Sequence, residues 1–249
     1  MDINAFTSML DFNVIWLNEV ESTNTVAREM MNKGEAKEGL MIVANHQTNG
    51  RGQQNNRWES ESGQNILCSL VLEPLFLNVN QQVWLNMAVC LAIYDALAFY
   101  SKDVRIKWPN DVYISDKKVA GLLIENTLQG QQIKHTIVGV GININQSKFT
   151  DEKASSLSKL TNDWFDRNNV LQQILNYIKI RYNQVRLHQF DKINQDYHQV
   201  LYGKGEIKKY VADGQVFEGI ITGVNEQGNL VVNVNGMNNV YMVKQISML

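Results

Sequence analysis

The sequence contains little cysteine or proline and has no excess of positive charge. Among 249 residues there are two cysteines and two prolines, and 23 Lys and Arg residues stand against 25 Asp and Glu, giving a net charge of -2. A chain without surplus cations has no general means of neutralising a nucleic-acid backbone, so we expect no DNA binding. No apolar run approaches the roughly 18 residues of a membrane-spanning helix. The N-terminal residues also lack the basic and apolar regions of a secretion signal. We therefore expect a cytoplasmic protein with no membrane partner.

The two cysteines lie in apolar runs and have no metal-ligand or disulfide spacing. Cys68 stands in NILCSLVL and Cys90 in MAVCLAIY, without a CxxC pair or a nearby histidine. We predict that both are buried and reduced. With 44% hydrophobic residues, the chain can form one sizeable core and a small second domain.

The first 200 residues predict a mixed sheet with packed helices, an α+β fold. Polar side chains of Ser22, Thr23 and Asn24 are expected to cap a helix that follows the first strand. A central buried helix is expected from Val79 to Tyr100, and helical patterning returns from Ser155 to Val200. Strands are expected at Asn13–Val20, Leu40–Asn45, Ile66–Leu72, Val104–Lys107, Val112–Ser115, Val119–Thr127 and Ile133–Ile142.

The pattern changes after Glu206 to short alternating strands. They are separated by polar and glycine-containing turns such as Ala212-Asp213-Gly214 and Asn235-Gly236. Regular turn signals of this kind are typical of a small β-barrel of roughly 45 residues. We predict two domains, one over residues 1–200 and one over residues 201–249.

A long polar loop from Gln47 to Gln64 contains the segment QTNGRG, followed by Trp58. Glycines beside Arg51 let the backbone approach an anion, while the guanidinium offers planar donors to phosphate or carboxylate. Trp58 can close over a planar ligand. An ordinary solvated loop, anchored to the core by Trp58, explains the same residues.

Three further segments carry candidate site residues. In KWPND, Pro109 makes a defined corner that can direct Lys107, Asn110 and Asp111 to one ligand, although a simple β-turn also fits. In KVAG, Lys118 can stabilise negative charge in a cleft and Gly121 permits close approach, whereas lysines at a turn are often only solvated. In GVGIN, two glycines inside a strand favour either a bulge or a close ligand.

Together these segments resemble the catalytic domain of class I biotin–protein ligases. The matching segments in chain order are EST at 21–23 with Asn24, QTNGRG at 47–52 with Trp58, KWPND at 107–111, KVAGLLIE at 118–125 and GVGIN at 139–143. KWPND closely followed by KxAG is highly specific, and the C-terminal strands resemble the SH3-like domain of that family. The resemblance implies a class II synthetase-like biotin/lipoate ligase domain that joins biotin, through ATP and Mg²⁺, to a lysine of a biotin carboxyl carrier protein.

The resemblance also implies roles for individual residues. Lys118 and Arg51 would be catalytic, and Mg²⁺ would lie near Asn110 and Asn143. The biotin site would contain Ser22, Thr23, Asn24, Gln47, Gly50, Arg51, Lys118 and Gly121. The ATP or adenylate site would contain Arg51, Gln53, Trp58, Lys107, Asn110 and Asn143.

The chain departs from the family pattern at two places. Asn55 replaces a glycine of the GRG loop, where Gln53 and Gln54 stand in place of basic residues, and the final residues 246–249 carry no basic side chain. The first predicted strand begins near Asn13, so we expect no DNA-binding domain before it. Alternative functions are a lipoate–protein ligase or octanoyltransferase, and a non-catalytic biotin-binding module. The resemblance leaves open whether the protein is a homodimer.

Overall fold

The computed structural model describes residues 10–52 and 57–249, and these residues contain two β-sheets. The larger sheet has seven strands in the spatial order β1-β2-β3-β7-β6-β5-β4. Its strands are β1 (Asn13–Val20), β2 (Leu40–Gln47), β3 (Ile66–Leu72), β4 (Val104–Lys107), β5 (Asp111–Ile114), β6 (Lys117–Gln129) and β7 (Gln132–Ile142). The β1–β2 pair is parallel and the others are antiparallel, which confirms the predicted mixed sheet.

Helices cover both faces of this sheet because successive residues of its central strands point to opposite sides. On one side, Leu40 and Ile42 of β2 pack with Ala27 of α1 (Thr23–Asn32). On the other side, Met41 and Val43 join the main core. Strands β2 and β3 are consequently buried along nearly their whole length.

The central helix α2 (Gln82–Ala98) lies in the main core. Its buried residues occur on all of its faces because it packs against the sheet and against two later helices, α4 (Arg167–Arg186) and α5 (Phe190–Gln199). The predicted start was three residues early, since Val79–Gln81 form a 3-10 turn, and the helix ends at Ala98. A short helix α3 (Leu157–Thr161) precedes α4.

The predicted capping of α1 was wrong. Ser22 occupies the N-cap position but makes no side-chain capping hydrogen bond. Thr23 and Asn24 are already helical and buried, and their side chains bond to residues of the sheet. Tertiary partners therefore replaced the local capping contacts.

The smaller sheet has five strands in the order β11-β10-β9-β8-β12 and fits a small SH3-like domain. These strands are β8 (Ile207–Ala212), β9 (Gln215–Val224), β10 (Leu230–Val234), β11 (Met237–Tyr241) and β12 (Ser247–Met248). Two of its hairpins turn at Asp213-Gly214 and Asn235-Gly236, where all four residues have positive φ, as two-residue turns require. We propose that the domains divide near residue 200, because α5 ends at Gln199 and β8 begins at Ile207.

Both cysteines are buried and free, as predicted. Burial raises the pKa of the Cys68 thiol to about 12. Burial also raises the pKa of Cys90 to about 12, with a smaller contribution from the negative charge of Asp111. Within the described ranges, none of the helices has both the length and the apolar content needed to cross a bilayer.

Candidate active site

A cavity of about 610 Å³ lies where the larger sheet meets the C-terminal sheet. The structure brings most of the predicted site residues to its wall: Ser22, Thr23, Asn24, Gln47, Arg51, Trp58, Lys107, Asn110, Lys118 and Gly121. Gly50 and Asn143 do not reach the wall, and Gln53 lies outside the described residues. One pocket thus collects side chains that are nearly 100 residues apart in the chain.

The polar end of the cavity forms where the parallel strands β1 and β2 end side by side. Val20 is the register partner of Gln47, so the start of α1 lies next to the Gln47 side chain. Gln47 Oε1 accepts hydrogen bonds from Thr23 N at 2.8 Å and from Thr23 Oγ1 at 3.0 Å. This end offers hydrogen-bonding groups without a formal charge.

The GRG segment is bonded to α1 on one side and to Trp58, later in the same loop, on the other. Arg51 Nη2 donates to Thr25 Oγ1 at 2.7 Å, and Arg51 Nε is buried without a hydrogen-bond partner among the described residues. Gly50 O accepts a hydrogen bond from Trp58 N at 2.9 Å. A Cβ at Gly50 would lie 3.0 Å from Trp58 O and from Gln47 Nε2, so this glycine permits close packing behind the cavity.

The Trp58 ring rests directly on two glycines of adjacent strands. A Cβ at Gly121 of β6 would lie 2.9 Å from Trp58 Cζ3, and a Cβ at Gly141 of β7 would lie 2.5 Å from Trp58 Cε2. Lys118 Nζ lies 5.6 Å from the centre of the same ring. Trp58 Nε1 is buried without a partner among the described residues. The ring is thus packed into the cavity, against the glycines that the sequence suggested would make room for a ligand.

The KWPND corner joins β4 to β5, and its residues line the cavity. Lys107 and Asp111 are register partners at its two ends, and the Trp108–Pro109 peptide is cis. Asn110 Nδ2 donates to Leu122 O, and Leu122 N donates to Asn110 O at 3.0 Å. The corner is therefore bonded to β6 through Asn110, which a simple β-turn would not require.

Two lysines and an aspartate form the charged part of the cavity. Lys118 Nζ lies 2.7 Å from Asp111 Oδ1. Burial raises the pKa of Asp111, and the positive charges of Lys118 and Lys107 oppose this rise. Burial lowers the pKa of Lys107; the negative charge of Asp111 opposes this shift, and Lys153 and Lys118 add to it. Crowded cations of this kind are suited to holding an anionic ligand.

Lys118 is also fixed by its backbone. Its N donates to Lys153 O at 2.8 Å, and Ser155 N donates to Lys118 O at 3.0 Å. The neighbouring Lys117 is exposed and donates to Glu152 O at 2.6 Å. The loop before α3 thus brings Lys153 to the cavity wall.

Asn143 stabilises this loop from behind. Its Nδ2 donates to Ser155 O at 3.1 Å, and its O accepts from Leu157 N at 3.0 Å. Asn143 Oδ1 is buried and has no hydrogen-bond partner among the described residues. Its position supports a structural role near Lys118.

Several cavity residues were missed by sequence reasoning. The most informative are Arg57 and Lys153, and from the C-terminal sheet Tyr202 and Lys244. No sequence pattern marks Lys244; only the structure shows that its φ of 79° places this lysine in the left-handed region. No local pattern marks Lys153, because it reaches the site through backbone pairing with Lys118.

Comparisons with known proteins agree with this geometry. Residues 16–143 match the model of the biotin/lipoate A/B protein ligase family. The chain is 32% identical to the bifunctional ligase/repressor BirA of Bacillus subtilis (strain 168) over 244 residues, covering 94% of this chain and 74% of that protein. It is 28% identical to the biotin–[acetyl-CoA-carboxylase] ligase of Mycobacterium tuberculosis over 221 residues, covering 86% and 81%.

A solved structure shares the fold. The biotin protein ligase from Aquifex aeolicus in complex with biotin and ATP matches with a TM-score of 0.78 and 28% identity, covering 95% of this chain and 98% of that one. The match therefore includes the C-terminal sheet as well as the larger one. Since the family model spans more than half of the chain, and a relative at 32% identity is matched over 94% of it, the chain belongs to the biotin/lipoate A/B protein ligase family.

Proposed function

We propose that this protein activates biotin with ATP to form biotinyl-5'-AMP and then transfers biotin to a lysine of a biotin carboxyl carrier protein. One observation carries the proposal: a single cavity joins a neutral hydrogen-bonding end at Thr23 and Gln47 to a cationic region at Lys107 and Lys118. Such a cavity suits a ligand with a polar neutral head and a carboxylate tail beside a polyphosphate. The relatives named above are biotin ligases, which supports this assignment.

The first step joins two anions. A carboxylate oxygen of biotin attacks the α-phosphorus of ATP, the bond to the β-phosphate oxygen breaks, and pyrophosphate leaves. Lys118 and Arg51 would face both anions, and fixed cations in a site that excludes water lower the cost of bringing them together. Asp111 holds the Lys118 ammonium in one position, so less reorganisation is needed during the reaction.

In the second step the ε-amine of the acceptor lysine attacks the acyl carbon, the acyl–phosphate bond breaks, and AMP leaves as the amine loses a proton. Ser22, Thr23, Asn24, Gln47, Gly50 and Gly121 are proposed for biotin, and Gln53, Trp58, Lys107, Asn110 and Asn143 for the nucleotide. Gly50 and Asn143 do not line the cavity, so they would act by supporting the residues that do.

Mg²⁺ bound to the triphosphate would stabilise the departing pyrophosphate. Within the described residues there is no cluster of three or more His, Cys, Asp or Glu side chains that would hold a metal alone. Mg²⁺ is commonly held by substrate phosphates and water with one or two protein oxygens, so the cavity residue Asn110 fits this role better than the enclosed Asn143.

The alternatives make different demands on this cavity. A lipoate ligase has no need of polar groups for a urea, and a non-catalytic biotin-binding module has no need of the Lys118–Asp111 pair. The absence of DNA binding and a cytoplasmic location stay predictions.

The proposal is tested by incubating a carrier domain with the protein, biotin and Mg-ATP. We expect mass spectrometry to show one added biotinyl group on a lysine, and isotope exchange between pyrophosphate and ATP to require biotin. Lipoate in place of biotin serves as the control. Equal exchange with lipoate would contradict the assignment, because unpaired polar groups in a buried site cost about 1–3 kcal/mol each.

A further inference from the structure

Asn24 belongs to a chain of hydrogen bonds that runs from the protein surface to the cavity. Arg28 Nη2 donates to Glu125 Oε1 at 2.6 Å, and Asn24 Nδ2 donates to Glu125 Oε2 at 2.7 Å. On its other side, Asn24 Oδ1 lies 2.5 Å from the buried hydroxyl of Ser69. The chain therefore links α1 to β6 and β3, the two strands that flank β7.

The Glu125 carboxylate fixes which way the Asn24 amide points. A carboxylate paired with arginine accepts hydrogen bonds and donates none. Only Nδ2 of Asn24 can face it, so Oδ1 is turned to the opposite side, toward Gly139 of the cavity wall. A Cβ at Gly139 would collide with this oxygen. At this point the cavity presents an acceptor.

The hydroxyl groups of Thr23 and Ser69 carry two protons but take part in three oxygen–oxygen contacts. Thr23 Oγ1 lies 3.0 Å from Gln47 Oε1 and 2.7 Å from Ser69 Oγ, and Ser69 Oγ lies 2.5 Å from Asn24 Oδ1. The amide oxygens donate none. Three oxygen–oxygen contacts thus share the two protons of Thr23 and Ser69, and one contact has no proton.

We propose that Glu125 is a positioning residue that makes this end of the cavity select a ligand N–H, and that it thereby determines the preference for the cyclic urea of biotin. An N–H donated to Asn24 Oδ1 would let the Ser69 hydroxyl donate to Thr23 Oγ1, so that Asn24 Oδ1, Thr23 Oγ1 and Gln47 Oε1 would each accept a hydrogen bond. A ligand with oxygen in place of that N–H would bring two acceptors together. This inference rests on the proposed biotin ligase function.

Two variants separate amide orientation from the loss of an ion pair. In Glu125→Gln, the new side chain both donates and accepts, so the Asn24 amide can turn over and present Nδ2 to the cavity. Arg28→Gln breaks the same ion pair but keeps the acceptor-only carboxylate. Only the first variant should change which ligands are preferred.

The measurement compares biotin with its two cyclic carbamate analogues, in which one ring N–H is replaced by oxygen. Dissociation constants are obtained by calorimetry for the unmodified protein and both variants. We expect the unmodified protein and Arg28→Gln to prefer biotin over one of the analogues by at least about 100-fold, and Glu125→Gln to reduce this preference to about tenfold or less. The ratio is taken within one protein sample, so partial unfolding of a variant does not affect it.

An unmodified protein that binds biotin and both carbamates equally would overturn the inference, as would a Glu125→Gln variant that keeps the full preference. A reduced ratio in Arg28→Gln as large as that in Glu125→Gln would also overturn it, because the ion pair and not the amide orientation would then be responsible. Biotin-dependent pyrophosphate exchange is measured on the same samples. If binding shows the expected ratios but exchange is absent, the proposed catalytic function fails while the inference stands.

Discussion

Lys118 Nζ lies 2.7 Å from Asp111 Oδ1, and this ion pair connects β6 to the first residue of β5. Asp111 holds the ammonium, and backbone hydrogen bonds to Lys153 and Ser155 hold the backbone from which this side chain extends. A cation fixed in this way is available at one position of the cavity before the ligands arrive.

Lys118→Ala is expected to nearly abolish biotinyl-adenylate formation. Removing one preorganised charged group typically costs about 10²–10³ in rate. We expect Lys118→Arg to restore little, because a planar guanidinium does not replace a compact ammonium beside Asp111. Single-turnover formation of the adenylate measures both effects.

Lys117→Ala is the matched control for that experiment. Lys117 is exposed, and its ammonium donates to a backbone oxygen, that of Glu152, so its loss should leave the rate close to that of the unmodified protein. A result in which Lys117→Ala is inactive and Lys118→Ala is active would show that the site is assigned to the wrong lysine.

Lys244→Gly is expected to weaken ATP binding without weakening the fold. Its φ of 79° is unfavourable for any residue with a Cβ, and glycine removes that strain. The lysine lines the cavity, and one charge about 4 Å from a phosphate contributes about 1 kcal/mol in a water-like medium. We expect the KM for ATP to rise about fivefold, the KM for biotin to stay constant and the melting temperature to stay the same or rise.

Asp213→Gly provides the control for Lys244→Gly, since Asp213 also has positive φ but lies in a hairpin turn away from the cavity wall. It should relieve strain and leave both KM values unchanged. If Lys244→Gly gives the same kinetic result as Asp213→Gly, Lys244 has no part in nucleotide binding.

Gly141→Ala is expected to lower the free energy of unfolding by forcing a clash at the cavity. The new methyl group would lie 2.5 Å from Trp58 Cε2, and overpacking of this kind typically costs about 1–3 kcal/mol of unfolding free energy. In a Trp58→Ala background the same substitution should cost little, because the clashing ring is gone. Urea unfolding of both single variants and the double variant measures this difference, and an equal cost of Gly141→Ala with and without the ring would show that Trp58 does not rest on Gly141 in solution.

Lys107→Met is expected to be more stable than the unmodified protein at neutral pH and poorer at binding ATP. Burial lowers the pKa of Lys107, so the folded protein holds this proton less tightly than the unfolded chain. The ammonium therefore costs stability at every pH below the folded-state pKa, and the cost disappears as the pH rises from there toward the unfolded-state pKa. Urea unfolding at pH 7, together with the KM for ATP, checks both parts. A variant that is less stable and binds ATP normally would contradict this.

Local sequence determined most of the elements and the corners between them. Most strands were predicted, β2 and β3 from continuous apolar runs and those of the C-terminal sheet from short alternating runs, whereas the two-residue β12 was not. The turn at Asn235-Gly236 was predicted because these residues tolerate positive φ. The KWPND corner was predicted because proline restricts the backbone. Each of these features depends on residues that are close together in the chain.

The tertiary structure alone decided which side chains share the cavity. Helix α1 packs against β3, more than 30 residues later in the chain, and this brings Asn24 to Ser69. Backbone pairing of a loop with Lys118 brings Lys153 to the wall and places Asn143 behind it. The sequence by itself determined the chemical groups available for the reaction, through Lys118 and its neighbouring motifs. Their arrangement depends on contacts between distant segments, which local patterns of apolar and polar residues do not encode.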